Sequence, residues 1–196
     1  MAANNRRPLI IIAALAISLA IGLFALFALG GLRHVTPAAT IGGPFQLSDQ
    51  NGQRVTEQSL KGKPTLIFFG FTRCPDVCPT ALFEMTELLR AMGPDGDRIN
   101  VYFVSVDPER DTAATLKDYL SSFDERIKGL SGDPAAVANI MTSYRVYARK
   151  VPLKDGDYTM DHTALVYLMD RDGRFVAPFD IKRKPDAAAA DLKRYL

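Results

Sequence analysis

The sequence predicts an α/β domain, a mixed β-sheet flanked by helices, carried behind an apolar N-terminal helix. Three observations predict it. From Thr65 onward, apolar β-rich runs alternate with stretches of helical spacing, the pattern of a sheet with helices on its faces. Hairpin patterns stand at both ends of that alternation, which makes the sheet mixed rather than purely parallel. The 24 residues from Leu9 to Leu32 carry no charge, and about 20 apolar residues suffice for a helix to span a bilayer.

Arg6, Arg7 and the terminal amine precede that segment, and Arg33 alone follows closely. The bias is slight but favours a cytoplasmic N-terminus and an exported C-terminal domain. A cleaved signal peptide, cut near Ala28-Leu29-Gly30, is the competing reading, although its apolar core is usually only about 7–15 residues. Either way the cysteines meet an oxidising compartment. The chain thus divides into residues 1–33 (cytoplasmic N-terminus and transmembrane anchor), 34–43 (a tether with Pro37 and small residues) and the globular domain 44–196.

Within that domain, Pro44 to Thr56 reads as a hairpin turning at Asn51-Gly52, and Thr65 to Phe71 as a buried strand. Leu82, Met85, Leu88 and Leu89 recur at helical spacing until Gly93-Pro94 stops them. Ile99 to Val106 alternates as a strand. Asp111 or Thr112 caps a helix through Leu116, Tyr119 and Leu120 to Phe123. A short strand near Leu130 precedes Gly132-Asp133-Pro134 and a helix reaching Tyr144. Val146 to Pro152 is extended, and Lys154-Asp155-Gly156-Asp157 turns it into a small projecting hairpin. Thr163 to Met169 is a near-continuous apolar strand, turned by Arg171-Asp172-Gly173-Arg174 into Phe175 to Pro178. Asp186 caps a terminal helix.

Composition narrows the function. With 47% hydrophobic and 23% charged content, 196 residues make one ordinary domain plus a small appendage. A net charge of +2 with no basic run among aromatics gives no support to nucleic-acid binding. Lys182-Arg183-Lys184 reads as a solvated turn. Two cysteines exclude a disulfide scaffold and a four-thiolate zinc site. No Gly-rich phosphate loop appears, so a nucleotide cofactor has no support.

The two cysteines lie in Phe68-Phe69-Gly70-Phe71-Thr72-Arg73-Cys74-Pro75-Asp76-Val77-Cys78-Pro79-Thr80, where a buried strand runs through a loop into a helix. Thiols at i and i+4 on such a turn can share one face of the first helical turn. The positive end of the helix dipole lowers thiol pKa there, and Pro79 suits a helix opening. A structural disulfide would close only three residues and constrain the unfolded chain little. A Pro-flanked pair on a turn is a poor core site, so the pair reads as functional.

Of the two histidines, His34 falls in the tether without a partner. His162, in Met160-Asp161-His162-Thr163-Ala164, stands where a loop enters a strand. A lone histidine at a strand start is usually structural. In a sheet of this kind, however, loop ends on the cysteine side converge, and two thiolates with one imidazole form a soft three-donor set suited to copper. Zinc accepts the same donors but usually wants a fourth ligand or a water. Asp161 either orients the imidazole or is a solvated neighbour.

With the cysteine motif and Asp161-His162-Thr163 both in hand, the chain resembles the Sco/SenC family, membrane-tethered copper-handling proteins of cytochrome c oxidase assembly. The resemblance runs from about Gly43 to Leu196. It includes Ser105-Val106-Asp107-Pro108-Glu109-Arg110-Asp111-Thr112, Gly129-Leu130-Ser131-Gly132 and Tyr167-Leu168-Met169-Asp170. It implies a thioredoxin-like fold with Cys74, Cys78 and His162 as ligands of a copper ion. Arg73 stands where the family often has histidine, so a fourth donor is missing there.

Two functions then compete. One is a chaperone, anchored as a single pass in the inner (cytoplasmic) membrane, which holds copper in the periplasm. It would pass the copper to the dinuclear centre of the oxidase's copper-bearing subunit. The other is a thiol–disulfide reductant that keeps the cysteines of that centre reduced. Other periplasmic copper chaperones or thiol reductants are further expected partners. A sensor is a weaker third reading, since the sequence contains no output domain.

Overall fold

The computed structural model describes residues 7–30, 40–154 and 156–196, with side chains of the first helix described over 10–25. Two compact units emerge, Met1–Ala39 and Thr40–Leu196. In the first, α1 (Arg7–Gly30) is a helix apolar on every face. Among the described residues, no helix is long and apolar enough to cross a membrane. The expected anchor reaches further, to residues 31–33, which lie outside the described residues, as do His34 and most of the expected tether.

The second unit holds a seven-stranded sheet. Its first hairpin joins β1 (Gln46–Asp49) and β2 (Arg54–Thr56), antiparallel as expected. The buried Asp49 carboxylate accepts from Asn51 N and Gln53 N at 2.9 and 2.8 Å, and Gly52 supplies a φ of +80°; both fix the turn. β3 (Thr65–Gly70) is buried along its whole length, as its unbroken apolar run requires of a central strand. It leads into α2 (Val77–Met92), whose Leu82, Met85, Leu88 and Leu89 form the buried stripe.

Further along come β4 (Asn100–Ser105), α3 (Ala113–Leu120), β5 (Ile127–Ser131) and α4 (Pro134–Ser143). A separate antiparallel hairpin follows, β6 (Ala148–Pro152) with β7 (Tyr158–His162). The chain closes with β8 (Val166–Met169), β9 (Phe175–Pro178) and α5 (Pro185–Lys193). The sheet order is β2-β1-β5-β4-β3-β8-β9, with β3, β4 and β5 parallel and hairpins at both edges. The mixed sheet is therefore as expected.

Several local expectations need correction. The globular unit begins before residue 44. Gly42 N donates to Ser143 O at 2.9 Å and Asn139 Nδ2 to Pro44 O at 3.0 Å, so the end of the expected tether is docked on α4. Of the two expected caps of α3 it is Thr112 that serves, accepting from Thr115 N at 3.2 Å. That helix stops at Leu120 rather than Phe123. Lys184 is the cap of α5, and Asp186 lies inside its first turn after Pro185. β8 starts three residues later than expected because Thr163 is already paired with Tyr147, through its N–H at 2.9 Å and its hydroxyl at 3.1 Å.

Topology decides where the site falls. Parallel pairing sets Gly70 beside Ser105, and antiparallel pairing sets Val166 beside Phe68. The loops after β3 and β4 and the lead into β8 therefore share one end of the sheet, where α/β folds place their ligands. Close packing fixes that end. A Cβ on Gly70 would lie 2.5 Å from Phe103 Cε2 and 2.9 Å from Cys78 Sγ. Gly70→Ala is expected to cost about 1–3 kcal/mol through this overpacking, seen as a lower urea midpoint at unchanged m-value. A wild-type midpoint would refute the packing.

Candidate metal centre

Cys74 sits in the loop after β3, half-buried, and Cys78 is the second residue of α2, with no exposed surface. The pair does not share a helical face, because α2 begins only at Val77. Cys74 instead receives the Cys78 N–H on its sulfur at 3.3 Å, so its Sγ serves one of the free donors of the helix start. Both thiols are free. The expectation of low thiol pKa values fails for Cys78. Burial pushes its thiol far above the usual range, because removing a thiolate from water outweighs the partial charge of one helix end.

His162 is the last residue of β7, not the start of the following strand. Its Nε2 stands 3.8 Å from Cys78 Sγ. Its Nδ1 is 3.0 Å from Thr163 O. A carbonyl only accepts, so Nδ1 carries the proton in the neutral ring and the Nε2 lone pair faces the sulfur. Phe71 braces the imidazole edge to face, with ring centroids 5.7 Å apart at 88°. Asp161 does not orient it. Its carboxylate lies 3.7 Å from Arg149 on the exposed side of the hairpin.

The structure thus brings Cys78 and His162 together and holds Cys74 beside the Cys78 backbone. Among the described residues, no group of three or more His, Cys, Asp or Glu side chains is close enough to hold a metal ion as it stands.

Sequence reasoning assigned none of the groups that fix this arrangement to the site, and weighed Asp111 only as a helix cap. Asp111 is fully buried and accepts from Thr72 N, Thr72 Oγ1 and Ser105 Oγ at 3.1, 2.6 and 2.6 Å. It pins the loop that carries Cys74, and burial raises its carboxyl above the ordinary range. Arg110 clamps the β6–β7 hairpin. Its Nε bonds Asp107 at 2.5 Å, its Nη1 reaches Asp157 Oδ1 at 3.1 Å and Tyr158 O at 2.8 Å, and its Cζ lies 3.6 Å over the Tyr158 ring. Tyr158 Oη donates to Asp107 at 2.8 Å, and Arg73 pairs with Asp157 at 3.1 Å. The available signal was a charged run directly after a buried strand on the cysteine side of the sheet.

Comparison with known proteins agrees with this geometry. The sequence matches the SCO1/SenC family over residues 33–196, and the chain belongs to that family. It is 38% identical over 162 residues to the mitochondrial protein SCO1 homolog 1 of Arabidopsis thaliana, across 80% of this chain and 48% of that one. The chain therefore spans about half the length of that curated relative. Bradyrhizobium japonicum ScoI with copper bound is 75% identical, with a TM-score of 0.78 over 80% of this chain and 99% of that one. BsSco, in which a disulfide switch was identified, is a member of the Sco family of cytochrome c oxidase assembly proteins. It is 25% identical, with a TM-score of 0.63 over 81% of this chain and 95% of that one. The mixed sheet with flanking helices is the thioredoxin-like architecture of these structures.

Arg110→Ala would leave Asp107, whose side chain is 1% exposed, as a buried charge without its cation. Breaking such a pair costs about 3–5 kcal/mol. The variant is expected to unfold at lower urea and to exchange the amides of β6 and β7 faster. Unchanged exchange in the hairpin would show that the clamp does not hold it.

Proposed function

We propose that the chain carries copper as cargo on Cys74, Cys78 and His162. It delivers that copper to the dinuclear centre in the copper-bearing subunit of cytochrome c oxidase during assembly. The observation that carries this reading is the imidazole lone pair of His162 aimed at the Cys78 sulfur at 3.8 Å, beside a second free thiol. Two thiolates and an imidazole are a soft set that suits copper. The copper-bound Bradyrhizobium relative and the oxidase-assembly role of the BsSco family support the assignment. The uncharged segment from Leu9 to Leu32 supports a single-pass anchor in the inner membrane with the domain in the periplasm.

The chain's own residues divide the work. Cys74, half-exposed, meets incoming metal first. Cys78 gives up its proton as metal binds, in a pocket that Phe71 and Phe103 keep dry. Nδ1–H held by Thr163 O keeps Nε2 free to coordinate. A second reading, thiol–disulfide reduction of the oxidase cysteines, is favoured by the free pair at a helix start and by the disulfide switch of BsSco.

Because Cys78 is protonated at neutral pH in the free protein, copper has to displace that proton. Apparent affinity is expected to rise about tenfold per pH unit for each proton released and to fall in acid. A competition titration with a copper chelator between pH 6 and 8 checks this, and a flat profile would contradict thiolate ligation. Reduced full-length protein is expected to bind one copper, and protein with no free thiols none.

His162→Ala separates the two readings. Removing a direct ligand is expected to cut copper affinity more than the roughly 10–100-fold of outer-shell changes, while both sulfurs still cycle with a disulfide substrate. Full oxidase assembly by this variant at limiting copper would favour the reductant.

A further inference from the structure

An open groove of about 600 Å³ lies against the cysteine motif, within the size range of ligand sites. One wall is α2, where Val77, Thr80, Ala81 and Glu84 fall at i, i+3, i+4 and i+7 on a single face. The facing wall is the chain running on from His162, through Ala164 and Leu165 to Val166, and Phe179 and Ile181 close the third side. Val77 and Leu165 are 49% and 47% exposed at its mouth, an uncovered apolar patch of the kind that marks interaction sites.

The groove is also charged in one sense. Asp76, Glu84 and Asp180 stand on it against Lys182 alone. Among the described residues, none of these four is in an ion pair. The chain as a whole is positive, at +2, so this acidic rim is a local feature.

We infer that the groove docks an extended segment of a partner polypeptide that presents apolar side chains flanked by Lys or Arg. Val77 to Glu84 spans about 10 Å of helix, room for about three residues of extended chain at about 3.3 Å each. Carboxylates stand toward both ends of that span, Asp76 and Glu84, with apolar wall between them. Asp76 and Val77 lie between the two cysteines in the chain, so a segment seated here lies against the cysteine loop. Only the identity of the partner rests on the proposed function; the chemistry of the segment rests on the groove.

The test uses full-length protein in detergent micelles and two peptide probes. Each has three central apolar residues, flanked by Lys in one and by Glu in the other. The Lys peptide is expected to give saturable NMR shifts at the amides of Ala81, Leu165 and Ile181. The Glu peptide should bind about tenfold more weakly or worse. Glu84→Lys with Asp180→Lys should reverse that preference and leave copper stoichiometry unchanged. Equal binding of the two peptides, shifts elsewhere, or no saturation would overturn the inference. Shifts that follow protein concentration without peptide would also overturn it, in favour of a second copy as occupant. The same titration with the copper-bearing domain of the oxidase separates this inference from the functional reading. Groove binding of the Lys peptide without any binding of that domain sustains the groove and rejects the oxidase as partner. Domain binding indifferent to the double variant rejects the oxidase domain as the groove's occupant.

Discussion

The location of the Cys78 sulfur governs the chemistry around it. It lies at the end of β3, in a space that exists because residue 70 has no side chain and Phe103 fills the other side. No water reaches it. Two opposing influences meet at this atom. The helix start favours the thiolate by a fraction of an elementary charge, and burial disfavours it by removing solvent altogether. Burial wins, so the thiol stays protonated until something soft and positive replaces the proton. A metal ion does this and a solvent cation does not, since only the metal forms a bond with the sulfur.

The two sulfurs are therefore unequal. Cys74 is half-exposed and accepts a backbone N–H on its sulfur; Cys78 is enclosed and faces His162. A ligand arriving from outside meets Cys74 before Cys78, whether it is a metal ion or a partner's sulfur. The same inequality orders a thiol exchange, where the accessible sulfur attacks or is attacked and the buried one resolves. Asp111 holds the loop leading into Cys74 by three hydrogen bonds to Thr72 and Ser105. Such a network fixes the backbone that leads into Cys74 without holding the Cys74 side chain itself.

Much of this was legible in the sequence. The strand, thiol loop and helix followed from an apolar run broken by Pro and Cys, and nearly every strand appeared where alternation or an apolar run placed it. That His162 lies near the cysteine loop was expected from loop ends meeting on the cysteine side of such a sheet, and it meets Cys78 there. What escaped depended on distant neighbours. Burial of Cys78 arises from Gly70 and Phe103, 8 and 25 positions away, and no local pattern announces it. Asp111 looked like a helix cap because capping is local, yet Thr72 and Ser105 claim its carboxylate from other segments. The lead into β8 looked like strand from its apolar residues, until Tyr147 took the N–H and the hydroxyl of Thr163. Arg110 and Tyr158 are 48 residues apart, and only the folded sheet shows that they touch.

The way the hairpin is held bears on which function the site was shaped for. β6 and β7 stand outside the main sheet and are secured by Arg110, Asp107 and Tyr158. An ion pair as buried as Arg110 with Asp107 is a weak source of net stability, since desolvation takes back most of the Coulomb gain. What it supplies is position: a planar guanidinium forked between Asp107, Asp157 and the Tyr158 carbonyl admits one placement of the hairpin. That placement delivers His162, its Nδ1 proton committed to Thr163, with a bare lone pair against a buried sulfur. Thiol exchange needs two sulfurs and access, and gains little from an imidazole fixed in this tautomer. A soft metal ion, on the proposed reading, takes its third donor at a defined point from the hairpin.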